Sequence, residues 1–219
     1  MTRGSSSSAV IGHRKDPVVA GLDLLTTSER DADRIAHALC AALAGRGATE
    51  VTVATHWAQV GELRHVALTV ESSAVQPAAL WEVLAAASGP HPADPAPEPA
   101  REGRLLGDQY TGPPELRPSL DAAVDAHLTR GSGRVVVFTG CEGLVGTLTV
   151  GEILSTSAID RVNVLASSAA DRQTLLVTRD FVRARWTGGE LVLDTQPAAG
   201  GTLVPFETPF PTPCCAYHS

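Results

Sequence analysis

The chain has 219 residues, 43% of them hydrophobic and 19% charged, enough for one large domain or two small ones with a buried core. Its formal net charge of −7 provides no electrostatic footprint for a phosphate backbone and argues against nucleic-acid binding. No stretch approaches the roughly 20 apolar residues of a membrane-spanning helix, which argues against membrane insertion.

Residues 1–16 are polar, carry the run Ser5-Ser6-Ser7-Ser8 and lack the apolar segment of an export signal. They read as the disordered tail of a cytoplasmic protein. Thiols stay reduced in that compartment, so the four cysteines point to metal binding, catalysis or burial rather than to a disulfide framework.

Residues 17–88 form the first predicted module. A β-prone run at 18–25 is followed by Ser28, a helix N-cap with Asp31 three residues on. Ile35, Leu39, Ala42 and Leu43 then recur at helical spacing until Gly45 and Gly47 end the helix. Val51, Val53, Thr55 and Trp57 share one face of a strand, as do Val66, Leu68 and Val70. A second helix over 76–87 opens with Pro77 in its first turn. Strand, helix, strand, strand, helix is most of a ferredoxin-like βαββαβ unit, with the last strand missing or supplied later.

Residues 89–104 carry Pro90, Pro92, Pro95, Pro97 and Pro99, a composition that favours an extended, semi-rigid linker. Residues 105–219 form a second, β-rich module with one leading helix. Ser119 is placed to cap that helix, expected over 120–130, and Gly131 and Gly133 stop it. An apolar strand at 134–139 follows, then Val-, Leu- and Thr-rich strands at 147–154, 161–166, 174–186 and 190–195. Gly188-Gly189 marks a tight hairpin turn between the last two. The fold class is therefore α+β, with a ferredoxin-like N-terminal half and a mostly antiparallel β C-terminal half. Residues 134–138 can instead complete the first module's sheet, which would merge the halves.

The ending Thr212-Pro213-Cys214-Cys215-Ala216-Tyr217-His218 holds the sharpest chemical signal. Threonine as N-cap and proline at the first helical position start a helix well. At about 100° per residue, His218 then falls between the sulfurs of Cys214 and Cys215 around the axis. A helix N-terminus also favours thiolate, the form that binds zinc or copper. Cys141, in the glycine-flanked turn Gly140-Cys141-Glu142-Gly143, is the first choice for a fourth ligand. The chain is thus read as a cytoplasmic metal-binding protein with zinc or copper held by Cys214, Cys215, His218 and Cys141. Were the metal catalytic, Glu142 would be placed to move protons. The plainer reading makes Cys214 and Cys215 small hydrophobes that tuck a tail onto the core.

Two other groupings carry chemistry. His56 and His65 lie on the strands of one hairpin, and a register summing to 121 pairs them directly, as metal ligands or an acid–base pair. The alternative is a solvated pair, or a face covered by the second module. Arg179, Arg183 and Arg185 share strand parity with Phe181, a row suited to an anion or to neighbouring acidic side chains. Two further roles compete with metal binding. One is a non-catalytic assembly subunit that forms a homo-oligomer or binds a protein partner. The other is a cysteine-dependent enzyme using Cys141 or Cys215 as nucleophile.

Overall fold

The computed structural model describes residues 18–73, 75–87, 102–165 and 170–209. The N-terminal tail, most of the proline-rich segment and the Cys-Cys-x-x-His ending lie outside the described residues.

In chain order the elements begin with β1 (Val18–Thr26), α1 (Glu29–Ala44), β2 (Val51–Val60), β3 (Leu63–Ser72) and α2 (Pro77–Ala87). After the proline-rich segment come β4 (Gly103–Leu106), β5 (Gln109–Thr111), α3 (Arg117–Leu128) and β6 (Arg134–Val137). The last part holds β7 (Thr147–Thr149), α4 (Val150–Thr156), β8 (Arg161–Val164), β9 (Leu175–Val177), β10 (Ala184–Thr187), β11 (Glu190–Pro197) and β12 (Leu203–Pro205). Among the described residues no helix is long and apolar enough to cross a membrane.

The strands share one sheet, ordered β5-β4-β1-β3-β2-β6-β10-β11-β12-β9-β7, with β8 beside β11. Pairing is antiparallel except for β8 with β11 and β12 with β9. Helices and a large, mostly antiparallel sheet make the class α+β. The strand at 134–137 pairs with β2 and with β10, so the sheet runs unbroken from the first half into the second.

The period-2 pattern of the first strands decides which face each side chain takes. Leu22, Val53, Leu68 and Val70 project to one side, where they meet Leu39 of α1 and Leu84 of α2. Burying each such leucine contributes about 1.5–3 kcal/mol. On the opposite side, Ala67 and Leu105 meet Leu120 and Ala123 of α3. Gly21 and Gly103 permit that approach, since a Cβ at either would sit 2.9 Å from Leu120. A further core under the C-terminal strands collects Phe138, Ile153, Leu176, Trp186 and Leu193.

Local signals explain where elements begin and end. Ser28 caps α1 by accepting from the Asp31 N–H. The turn at Gly188-Gly189 has φ +61° and +89° and joins β10 to β11 with Thr187 opposite Glu190. Three sequence expectations need correction. The run 147–154 is not one strand: Thr149 and Glu152 close a complete capping box that starts α4 after only three strand residues. The run 174–186 is broken between β9 and β10, where Arg179 and Asp180 take left-handed φ of +56° and +52°. And α3 starts at Arg117 rather than 120, because Pro118 in its first turn needs no N–H partner there.

Candidate functional site

A cleft of about 560 Å³ opens where β2, β6 and β10 run side by side. His56 and Trp57 come from β2, Gly133 and Arg134 from the start of β6, Arg185 and Trp186 from β10. Glu29 of α1 and the pair Phe206 and Glu207 complete the rim.

His56 points to the α3 side of the sheet and is 8% exposed. Its Nε2 lies 2.9 Å from Thr69 Oγ1 on β3. Thr69 Oγ1 lies 2.7 Å from Nδ1 of His127 on α3, and His127 Nε2 lies 3.0 Å from Glu71 Oε2 on β3. These four side chains form one hydrogen-bonded row under the cleft. The Trp186 ring meets His127 edge to face at 4.4 Å between centroids.

Donor directions follow from the end of the row. A carboxylate only accepts, so Nε2–H of His127 donates to Glu71. With His127 Nδ1 unprotonated, the Thr69 hydroxyl donates to it and the Thr69 oxygen accepts from His56 Nε2–H; with Nδ1 protonated, His127 donates to Thr69, whose hydroxyl donates to His56 Nε2. His56 Nδ1 carries the lone pair in the first arrangement and the proton in the second. It has no partner among the described residues and is not one of the sealed, unpartnered polar atoms there. Glycine at 133 lets the backbone pass close against this ring, since a Cβ there would fall 2.6 Å from His56 Cε1 and 3.2 Å from Nδ1.

Burial, with His127 nearby, lowers the titration of His56 to about 4, so the ring is neutral near pH 7. Glu71 is held below the ordinary carboxylate range, chiefly by the hydrogen bond from His127, which outweighs burial, with Arg130 adding to the effect.

A charged cluster forms one wall. Asp33 of α1 accepts from NH1 of Arg134 at 2.5 Å and from Nε of Arg183 at 2.9 Å, and Glu207 accepts from Nε of Arg134 at 2.8 Å. Burial pushes the Asp33 carboxyl up, but Arg134 and Arg183 together outweigh it and hold the carboxyl below its usual range. The arginine row expected from strand parity does not form, because the chain turns at Arg179 and Asp180. Arg183 and Arg185 do reach the cleft, paired to Asp33 and to Asp194 respectively.

The histidine pairing also needs correction. The hairpin turns on Gly61 and Glu62 with Val60 opposite Leu63, so the register sums to 123. His56 faces Ala67, and His65 faces Ala58. A tight two-residue turn displaces the register by two positions, which leaves every side chain on its predicted face while separating the histidines. His65 instead bonds Asp23 of β1 at 2.8 Å, both side chains fully buried.

Cys141 begins a short 3-10 turn after Gly140, which has φ +82°, and it packs with Cys40 at the edge of the same core. Burial first, then Glu142 among nearby groups, raises the Cys141 thiol above its ordinary value, which favours thiol over thiolate. Cys214, Cys215 and His218 lie outside the described residues. Among the described residues, no group of three or more His, Cys, Asp or Glu side chains could hold a metal ion.

Sequence reasoning singled out His56 but missed Thr69, Glu71 and His127. A signal existed: His127 shares the buried stripe of Leu120 and Ala123, at spacings of three and four. Thr69 and Glu71 share strand parity with Ala67. The chain matches no family model, no curated protein and no solved structure.

Proposed function

We propose that the chain binds a small planar molecule bearing an anionic group in this cleft. The observation that carries this reading is the Arg185 guanidinium lining the cleft together with the exposed rings of Trp57 and Phe206. Trp57 and Phe206 offer flat apolar surface for a ring. The Arg185 side chain is 57% exposed and can turn from Asp194 toward an anionic group.

The test is saturation-transfer NMR with a panel of aromatic carboxylates, on wild type and Arg185→Leu. Panel members should bind wild type at least about tenfold more tightly, roughly 1.4 kcal/mol. A panel that never prefers wild type rejects the proposal.

A second reading, metal binding by Cys214, Cys215, His218 and Cys141 with zinc or copper, draws support from one structural fact. Cys40 lies near Cys141 on the same core edge, so two thiols stand together where ligands to a soft metal would be needed. Elemental analysis of wild type beside a Cys214→Ser, Cys215→Ser double variant separates the outcomes. About one equivalent of metal, lost in the variant, supports it; no metal in either rejects it.

On architecture, the order β4-β1-β3-β2, antiparallel throughout with α1 and α2 on one face, supports a ferredoxin-like reading of the first half. Its fourth strand would be β4, delivered after the proline-rich segment.

A further inference from the structure

A ligand carboxylate that recruits Arg185 has to take it from Asp194, whose Oδ2 meets Arg185 Nε at 2.9 Å. The two ends of that pair differ in what they tolerate. The Arg185 side chain is 57% exposed and turns at little cost, whereas the Asp194 side chain is only 17% exposed. Asn163 Nδ2 holds Asp194 Oδ1 at 2.8 Å, which leaves Oδ2 facing the place that Arg185 vacates. A part-buried carboxylate oxygen stripped of its cation is unfavourable, so a purely anionic ligand works against the site that receives it.

We infer that the cleft ligand is a zwitterion of the aromatic α-amino acid class, whose carboxylate takes Arg185 while its ammonium replaces Arg185 on Asp194. This inference rests on the reading of the cleft as a site for a planar molecule with an anionic group. Charge stays matched throughout the exchange: one ion pair opens, two form, and neither Arg185 nor Asp194 is left alone. The two ligand charges must lie close together, because Arg185 and Asp194 are in direct contact. In an α-amino acid a single carbon carries both.

The rest of the cleft favours this pair and places the ring. Arg185 lies opposite Val192, two positions from Asp194 on β11, so both side chains stand on the same face of the sheet. The Phe206 N–H donates to the Asp194 carbonyl at 2.9 Å, which seats Phe206 beside the pair at the cleft rim. The Trp57 ring has Arg64 over it at 4.3 Å and donates its Nε1–H to Glu29 at 3.0 Å, and it is still 47% exposed. Arg134 and Arg183 are only 15% and 11% exposed and share Asp33, so they open to a ligand less readily than Arg185.

The experiment is a ligand-observed NMR titration of the full chain near pH 7 with two matched pairs, tryptophan beside indole-3-propionate and phenylalanine beside 3-phenylpropionate. Within each pair the molecules differ only in the α-ammonium. Wild type should bind the amino acid about tenfold more tightly than its propionate. Asp194→Asn should abolish that preference and, with Arg185 released, bind the propionates at least as tightly as wild type does. Propionates that bind wild type as well as the amino acids do, or a preference that survives in Asp194→Asn, overturn the zwitterion and leave the planar-anion reading standing. Wild type that binds neither member of either pair overturns that reading, and the zwitterion with it. The first comparison uses wild type alone, so it holds even if the variant fails to fold.

Discussion

Asp33 joins α1 to the strands that carry the cleft, and its removal is the most quantitative probe of this wall. Its carboxylate meets NH1 and NH2 of Arg134 at 2.5 and 3.1 Å and Nε of Arg183 at 2.9 Å. The three side chains are only 12%, 15% and 11% exposed, so little water stands ready to replace a lost partner. Breaking a buried ion pair from one side destabilises by about 3–5 kcal/mol. Arg134 keeps Glu207 after Asp33→Ala, which sets the expectation at the lower end, about 3 kcal/mol. For a chain of this size that lowers Tm by roughly 6–12 °C. Urea unfolding of wild type, Asp33→Ala, Arg183→Leu and the double variant should give a coupling of about 1–2 kcal/mol between Asp33 and Arg183. The pH dependence has a definite sign. A carboxyl held below its usual range stabilises above that range and loses the effect as pH falls through its folded value. The gap between wild type and Asp33→Ala should therefore narrow in acid. A loss under about 1 kcal/mol at pH 7, or strict additivity with Arg183→Leu, refutes the assignment of Asp33 as the electrostatic centre of this wall.

Other consequences are checked more briefly. Between about pH 6.5 and about 4 the unfolded chain protonates His56 and the folded chain does not, so stability should fall as pH falls through that window, by up to about 3 kcal/mol, and His56→Phe should remove this component in pH-dependent denaturation. Gly133→Ala forces a side chain onto φ +134° and against the His56 ring, and should destabilise by about 2–3 kcal/mol in thermal unfolding and perturb the His56 imidazole resonances. Thr149→Ala removes the cap of α4 and should cost about 1 kcal/mol by urea titration, whereas Thr149→Ser should cost much less.

Much of the first half was legible in the residues because its signals are local. Period-2 alternation over 51–57 and 66–70, the Ser28 cap and the Pro77 start each depend on neighbours a few positions away, and each element formed where those signals placed it. The second half misled where two local signals competed. Val- and Leu-rich composition over 147–154 argued for a strand, but a reciprocal Thr149–Glu152 cap satisfies otherwise unpaired N–H groups and starts a helix. Over 174–186 parity was read through a left-handed pair that a sequence pattern does not announce. Strand parity likewise placed His56 and His65 on one face, but parity is unchanged by a two-residue slip, so it could not say which residues they meet.

What the sequence determined by itself was the class, the order of the early elements and the side of the sheet on which each side chain stands, because helix and strand periods are properties of the chain. What only the tertiary structure decided was company. Thr69 and His127 are 58 positions apart, Asp33 and Arg183 150 apart, and each pair meets because α3 covers one face of the sheet while β6 carries that sheet onward to β10. Contacts of that separation depend on which strands become neighbours, and the free energy that selects the neighbours is spread over apolar burial across the whole sheet rather than written at either residue.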